Sequence, residues 1–312
     1  MGKIAFIYPG QGTQKTGMGM DFYEKGNFAK EVYEEASQAI GLDIRKLCLE
    51  GQELLKKTEY TQAALLTTML AMTREIESRG IRPEVTAGLS LGEYAAITEG
   101  RGLTTTDAVR LVRERGLLME KAVPAGEGAM CAVLGLEETR LEAALSSVEG
   151  VTVANYNCPG QIVITGKRKA VEEAAEVLKK AGARRTLFLE VSGPFHSPYM
   201  EEAGRRLEQK LEEIPIRDLQ VPYISNVTAK KVTKKEEIRP LLIRQISHPV
   251  LWMQSMKTLQ AEAVEAVIEI GPGNTLAGFL KKMKTEIPVY NIATWEDMET
   301  ITEKIGQRRQ EA

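Results

Sequence analysis

The chain has 312 residues, about twice the ~150 that serve as a soft prior for one domain, so one large domain or two unequal ones are expected. Lys plus Arg number 41 and Asp plus Glu 43, a formal charge of -2 that leaves no electrostatic footprint for nucleic acid or an anionic membrane. With 43% hydrophobic and 27% charged residues the composition is that of a soluble globular protein, and no run of about 18 apolar residues occurs that could span a bilayer.

The N-terminal MGKIAFIYPG carries one basic residue and a short apolar run ending in Pro-Gly, too short for a signal-peptide core and without a small-residue cleavage site. It reads as the first strand. Phe6 stands where a myristoylation signal needs Ser or Thr. Cys48, Cys131 and Cys158 are odd in number, widely spaced and accompanied by two histidines, so neither a disulfide framework nor a metal site is expected, and a reducing cytoplasm is the expected location.

In chain order, strand-like runs occur at KIAFIY (3–8), VTAGLS (85–90), VPYIS (221–225), AVIEI (266–270) and PVYNI (288–292), with long amphipathic segments between them. This alternation predicts an α/β fold with a mostly parallel sheet flanked by helices, a hydrolase-like large domain. Helices are marked at 62–78, stopped by Gly80 ahead of Pro83, and at 107–121, between a Thr-rich cap and Pro124. Between Gly126 and Ser192 the rhythm changes to strand 129–135, helix 137–148, strands 151–157 and 161–166, helix 168–182 and strand 184–191. That β-α-β-β-α-β order predicts a ferredoxin-like subdomain, 126–193, inserted into a large domain of 1–125 and 194–312. The loops near Gly126 and Gly193 are candidate hinges, and the crevice between the lobes is the expected ligand site.

Gly88-Leu89-Ser90-Leu91-Gly92 closes a predicted strand and opens a predicted helix, the context of a nucleophile elbow. Its rival is a glycine-rich structural turn, yet chance alone would produce G-x-S-x-G only about 0.07 times in this composition. An activated serine needs a base, and the chain offers His196 and His248. His196 follows a strand where the inserted lobe rejoins the large domain, whereas His248 sits beside a proline as a surface or capping residue would. The one Asp between Ser90 and His196 is Asp107, which reads as a first-turn helix residue. A Glu remains open as a third member, but a Ser–His pair oriented by a backbone carbonyl suits the chain better than a Ser-Asp-His triad.

In the helix at 107–121, Arg115 is the one charge on a stripe formed by Ala108, Leu111, Val112, Leu118, Met119 and Ala122. A buried guanidinium needs a partner, so it either pairs with an internal carboxylate or faces a cleft and awaits an anion that its planar fork can grip. Pro9-Gly10-Gln11-Gly12 fits neither the dinucleotide nor the P-loop pattern, and remains a glycine turn that could donate backbone N–H groups or simply reverse the chain. Gly271-Pro272-Gly273-Asn274 reads as a structural turn with Asn274 as helix N-cap.

Taken together, GQGTQ, GLSLGEY, RERGLLM, NYNCPGQIVITG, GPFHS, SNVTA and IGPGNTL resemble the malonyl-CoA:acyl carrier protein transacylases, in order from residue 4 to about 292. The resemblance implies a ping-pong transfer in which Ser90 is acylated by malonyl-CoA and His196 acts as base and then acid. It further implies an oxyanion hole from the backbone N–H groups of Gln11 and Leu91, an Arg115 clamp on the free malonyl carboxylate, and a main-chain carbonyl near Gln245 that orients His196. The partners implied are malonyl-CoA and an acyl carrier protein serving fatty acid or polyketide synthesis. No cofactor is implied, since coenzyme A is a substrate and phosphopantetheine rides on the carrier; a monomer is implied as well. Leu89 departs from the His many members carry before the nucleophile, and Ala63 in TQAAL from their usual Pro. GPFH points to malonyl rather than bulkier extender units. An acyl-thioester hydrolase on the same scaffold and a silent carrier-binding module are the rivals, and Arg115 argues against the first. Lys281, Lys282 and Lys284, or Arg184 and Arg185, could dock an acidic carrier, or could simply be solvated surface.

Overall fold

The computed structural model describes residues 3–124 and 126–311. Its larger sheet is built from β1 (Lys3–Tyr8) and β2 (Val85–Gly88) early in the chain. Four strands then belong to the inserted region: β3 (Gly128–Leu134), β4 (Val151–Cys158), β5 (Gln161–Lys167) and β6 (Arg185–Phe188). The chain returns to the large sheet with β7 (Tyr223–Ile224), β8 (Lys231–Val232), β9 (Val264–Ile270) and β10 (Val289–Ile292). The large sheet runs β10-β9-β1-β2-β7-β8, parallel at every pairing except β7 with β8.

The unbroken apolar run IAFIY follows from this position. Side chains alternate across a strand, and β1 is covered on both faces. Phe6 and Tyr8 enter the main core with Ile268 and Ile270, while Ala5 and Ile7 face Val85, Ala87, Val267 and the fully buried Trp252 on the other side. Register pairs Tyr8 with Gly88, so the carboxyl ends of β1 and β2 lie side by side. Open α/β sheets bind ligands at such strand ends.

The inserted sheet is antiparallel with order β4-β5-β3-β6, which in the insert's own numbering is second, third, first, fourth, as in ferredoxin-like folds. One face packs on helices Glu138–Leu145 and Arg168–Lys180; the second buries Val171, Ala174, Ala175 and Leu178 at i, i+3, i+4, i+7 spacing. The opposite face sends Met130, Ala132, Ala154 and Val163 into the main core. Backbone bonds also stitch the lobes together, with Tyr156 N donating to Val250 O at 2.9 Å and Val250 N to Ala154 O at 2.8 Å.

Several expectations shift. The last inserted strand spans only Arg185–Phe188, the run at 221–225 contracts to a two-residue strand, and β8 carries too few residues to show a period. The helix expected at 62–78 starts a turn earlier, at Thr58, because its buried face already includes Thr58 and Thr61. Asn274 precedes the helix Thr275–Lys282 but its side chain makes no capping bond. Buried Glu269 caps it instead, accepting from Leu276 N at 3.0 Å and Ala277 N at 2.9 Å. No helix among the described residues is long and apolar enough to cross a membrane.

Candidate active site

Ser90 stands between the end of β2 and the helix Gly92–Glu99, with φ at 53°. A non-glycine residue in the left-handed region is strained, and the surroundings must enforce it. They do so through close approach: a Cβ on Gly88 would run into the backbone of Gly92, and one on Gly92 into the Tyr8 carbonyl. Leu89 N donates to that same carbonyl at 2.9 Å, fastening the elbow to β1. Asn226 holds it from the other side, its Oδ1 accepting from Ser90 N at 2.7 Å and its Nδ2 donating to Gly88 O at 2.6 Å.

Above the elbow, His196 Nε2 lies 2.8 Å from Ser90 Oγ and Nδ1 lies 2.8 Å from the Gln245 carbonyl oxygen. A carbonyl can only accept, so Nδ1 carries the hydrogen and Nε2 turns a lone pair toward the serine hydroxyl. His196 is 4% exposed; burial, then the positive charge of Arg115, push its pKa down to about 4. The imidazole is therefore neutral near pH 7, the form a base requires. No acidic side chain among the described residues takes part in orienting it.

Arg115, in the helix Thr105–Lys121, is 1% exposed. Its Nη1 donates to Gln62 Oε1 at 2.8 Å, and its Nη2 to Gln245 Oε1 at 2.8 Å and Ser90 Oγ at 3.1 Å. The guanidinium lies 5.4 Å from the Tyr94 ring centroid, and its Nε has no hydrogen-bond partner among the described residues. Of the two sequence-based alternatives, the arginine faces the cleft: neutral amides hold it, and no carboxylate forms an ion pair with it among the described residues.

These groups line a cavity of about 160 Å³ between the lobes, with Met130, Asn155, Asn157 and Val163 contributed by the inserted sheet. Gln11 and Leu91 line it too, and their backbone N–H groups meet no acceptor among the described residues. His248 is elsewhere, its Nδ1 2.9 Å from Arg244 O; Asp107 is engaged with Thr104 at its helix start. Leu89 lines the cavity and Ala63 is buried in the core. Lys281, Lys282, Lys284, Arg184 and Arg185 are exposed, and Lys282 Nζ reaches Gln161 Oε1 at 2.7 Å across the lobes. Sequence reasoning gave no role to Gln62, Glu93 or Asn226. The first lies inside TQAAL and the others inside GLSLGEY and SNVTA, so only position within a motif could have pointed to them.

An alcohol poised to lose its proton to a neutral imidazole is equipped to attack an electrophilic acyl carbon, and fold and site together define an acyl-transfer enzyme. The chain belongs to the acyl transferase domain family, which it matches over residues 5–302. It is 44% identical over 317 residues to the malonyl CoA-acyl carrier protein transacylase of Bacillus subtilis (strain 168), covering 100% of both chains. Among solved structures, it is similar to the malonyl CoA-acyl carrier protein transacylase of Clostridium perfringens, with a TM-score of 0.95, 37% identity and 98% of each chain covered. A malonyl-transacylase in complex with a type II PKS acyl-carrier protein aligns with a TM-score of 0.94 and 36% identity, over 97% of this chain and 99% of that one.

Proposed function

We propose that this acyltransferase moves the malonyl group of malonyl-CoA to the phosphopantetheine thiol of an acyl carrier protein, supplying chain elongation in fatty acid or polyketide synthesis. The observation that carries the reading is Arg115: a buried cation 3.1 Å from the nucleophile, held by amides and in ion-pair contact with no carboxylate among the described residues. One methylene separates the two carbonyl carbons of a malonyl group. A carboxylate gripped by this guanidinium therefore sets the thioester carbon beside Ser90 Oγ, and binding at the distal charge becomes orientation at the reacting atom.

The chemistry proceeds in two halves. His196 Nε2 takes the proton as Ser90 Oγ attacks, the developing oxyanion is received by the N–H groups of Gln11 and Leu91, and collapse expels the coenzyme A thiol, which takes the proton back from His196. The carrier's thiol then repeats the sequence on the malonyl-serine ester, with His196 first as base and then returning the proton to Ser90. Coenzyme A enters as substrate and phosphopantetheine arrives on the carrier, so no resident cofactor is used. The proposal extends to a monomer working in the cytoplasm.

Intact mass spectrometry after mixing with malonyl-CoA, beside Ser90→Ala, tests the reading. A malonyl adduct confined to the parent protein and passed on to added holo-carrier is the expected result. Release as free malonate with carrier present would identify a hydrolase, and no adduct from any acyl-CoA would leave only a carrier-binding role.

A further inference from the structure

We infer that Glu93 is a positioning residue for the malonyl clamp: its buried carboxylate sets which end of the Gln245 carboxamide faces Arg115, and so holds the guanidinium against Ser90. The inference rests on the functional reading above, in which Ser90 is acylated and Arg115 binds the distal carboxylate. Glu93 lies three residues after the nucleophile, in the first turn of the helix Gly92–Glu99, and is 1% exposed. An acid there could merely face its own helix N-terminus. Neither oxygen does. Oε1 accepts from Asn226 N at 3.0 Å and Oε2 from Gln245 Nε2 at 2.5 Å, so both bonds go to segments more than 130 positions away.

The consequence lies in how Gln245 is spent. Its Nε2 has two hydrogens and two acceptors, Glu93 Oε2 and the Ser90 carbonyl at 2.8 Å. Its Oε1 is then the end left for Arg115 Nη2, at 2.8 Å. Turning the amide over would set its NH2 against the guanidinium and its oxygen against the carboxylate, two repulsive contacts in a buried site. The same residue's main-chain carbonyl receives His196 Nδ1, and the Asn226 whose N–H bonds Glu93 grips the Ser90 N–H with its side chain. One carboxylate thus ties the elbow, gripped by Asn226, to the Gln245 segment that both orients the base and holds the clamp. Burial pushes its carboxyl up to about 7, while the bonds from Asn226 and Gln245, and then the charge of Arg115, pull it back. Gln245 keeps the two opposite charges from meeting directly, so Arg115 is oriented without being neutralised.

The test compares single-turnover acylation of Ser90 from malonyl-CoA and acetyl-CoA in the full chain, with folding followed by thermal unfolding. Glu93→Gln is nearly isosteric and still accepts from Asn226, but presents an amide where Gln245 Nε2 needs an acceptor. The expected result is a folded protein whose malonyl-over-acetyl rate ratio drops about tenfold or more. A merely structural role would lower both rates alike and preserve the ratio, and that outcome overturns the inference. Gln245→Met reads the relay from its other end, because it keeps the carbonyl that holds His196 but removes the amide. It should lower the same ratio, and Glu93→Gln added to it should lower the ratio no further; a retained ratio in Gln245→Met, or a further drop in the double variant, also overturns the inference. If the parent protein takes no malonyl group, the functional reading itself falls and the inference with it, an outcome visible before any variant is compared.

Discussion

Arg115 and Ser90 are joined directly, Nη2 lying 3.1 Å from the hydroxyl oxygen that also faces His196 Nε2 at 2.8 Å. The arginine therefore acts on both members of the proposed catalytic pair. Its charge favours negative charge developing on Oγ, and it disfavours the imidazolium, contributing to the low pKa of His196. A substrate carboxylate arriving at the guanidinium would offset part of that charge. On the proposed reading, binding of an acid substrate is thus coupled to the basicity of His196.

Arg115→Ala is expected to lower kcat/KM for malonyl-CoA by about a hundredfold or more, roughly 3 kcal/mol, and for acetyl-CoA by much less. Part of the loss comes from the acceptors left behind, since Gln62 Oε1 and Gln245 Oε1 both lose their donor. Arg115→Lys should fall between, because an ammonium keeps the charge but cannot reproduce a fork that reaches three acceptors. Steady-state assays with both thioesters decide the matter. An unchanged malonyl-to-acetyl ratio in Arg115→Ala would show that selectivity resides elsewhere.

Features set by local chemistry were legible in the sequence, and features created by convergence were not. The elbow could be read because a strained turn between strand and helix demands glycines at fixed offsets from Ser90. Arg115 could be read because a charge on an apolar helical stripe contradicts the pattern around it. The inserted β-α-β-β-α-β order emerged from periodicity alone, down to the helix that begins at Arg168. Glu93 looks like any first-turn acid, and its meaning appears only when residues 226 and 245 are folded against it. Asn226 is equally silent, as its side chain substitutes for a strand partner across 136 positions. Asn274 fails in the opposite sense, for a residue with good capping propensity was displaced by a carboxylate arriving from β9.

The low pKa of His196 has consequences for both rate and stability. Acylation of the free enzyme should show no ionisation of this base between pH 5 and 8, since its limb lies near about 4. A rate limb near 6.5, the ordinary histidine value, that persisted in Glu93→Gln would contradict the geometry, since the Glu93 carboxyl, pushed up to about 7, can give a limb of its own. For stability the sign is fixed by which state binds the proton. Below about 6.5 the unfolded chain protonates this residue and the folded one does not, so the term rises with pH from about 4 to about 6.5 and is flat above. Measured as the difference between the parent protein and His196→Gln, the rise should be roughly 3 kcal/mol, other titrating groups cancelling in the subtraction.

Gly92→Ala sets two effects of opposite sign against each other. Alanine in a first helical turn favours the helix by up to about 1 kcal/mol. Here, however, the added methyl would meet the carbonyl oxygens of Tyr8 and Pro9, which are backbone and cannot swing aside. Either the end of β1 or the elbow must move, and these carry Gln11 and Ser90 respectively. The clash should win, costing about 2–4 kcal/mol in denaturant unfolding and slowing acylation at least tenfold. Gly278→Ala supplies the control: it lies inside the helix Thr275–Lys282 with nothing within 4 Å of an added Cβ, so the same substitution there should stabilise by about 0.5–1 kcal/mol and leave acylation alone. If both variants unfolded and acylated like the parent protein, close approach of β1 to the elbow would not be what builds the site.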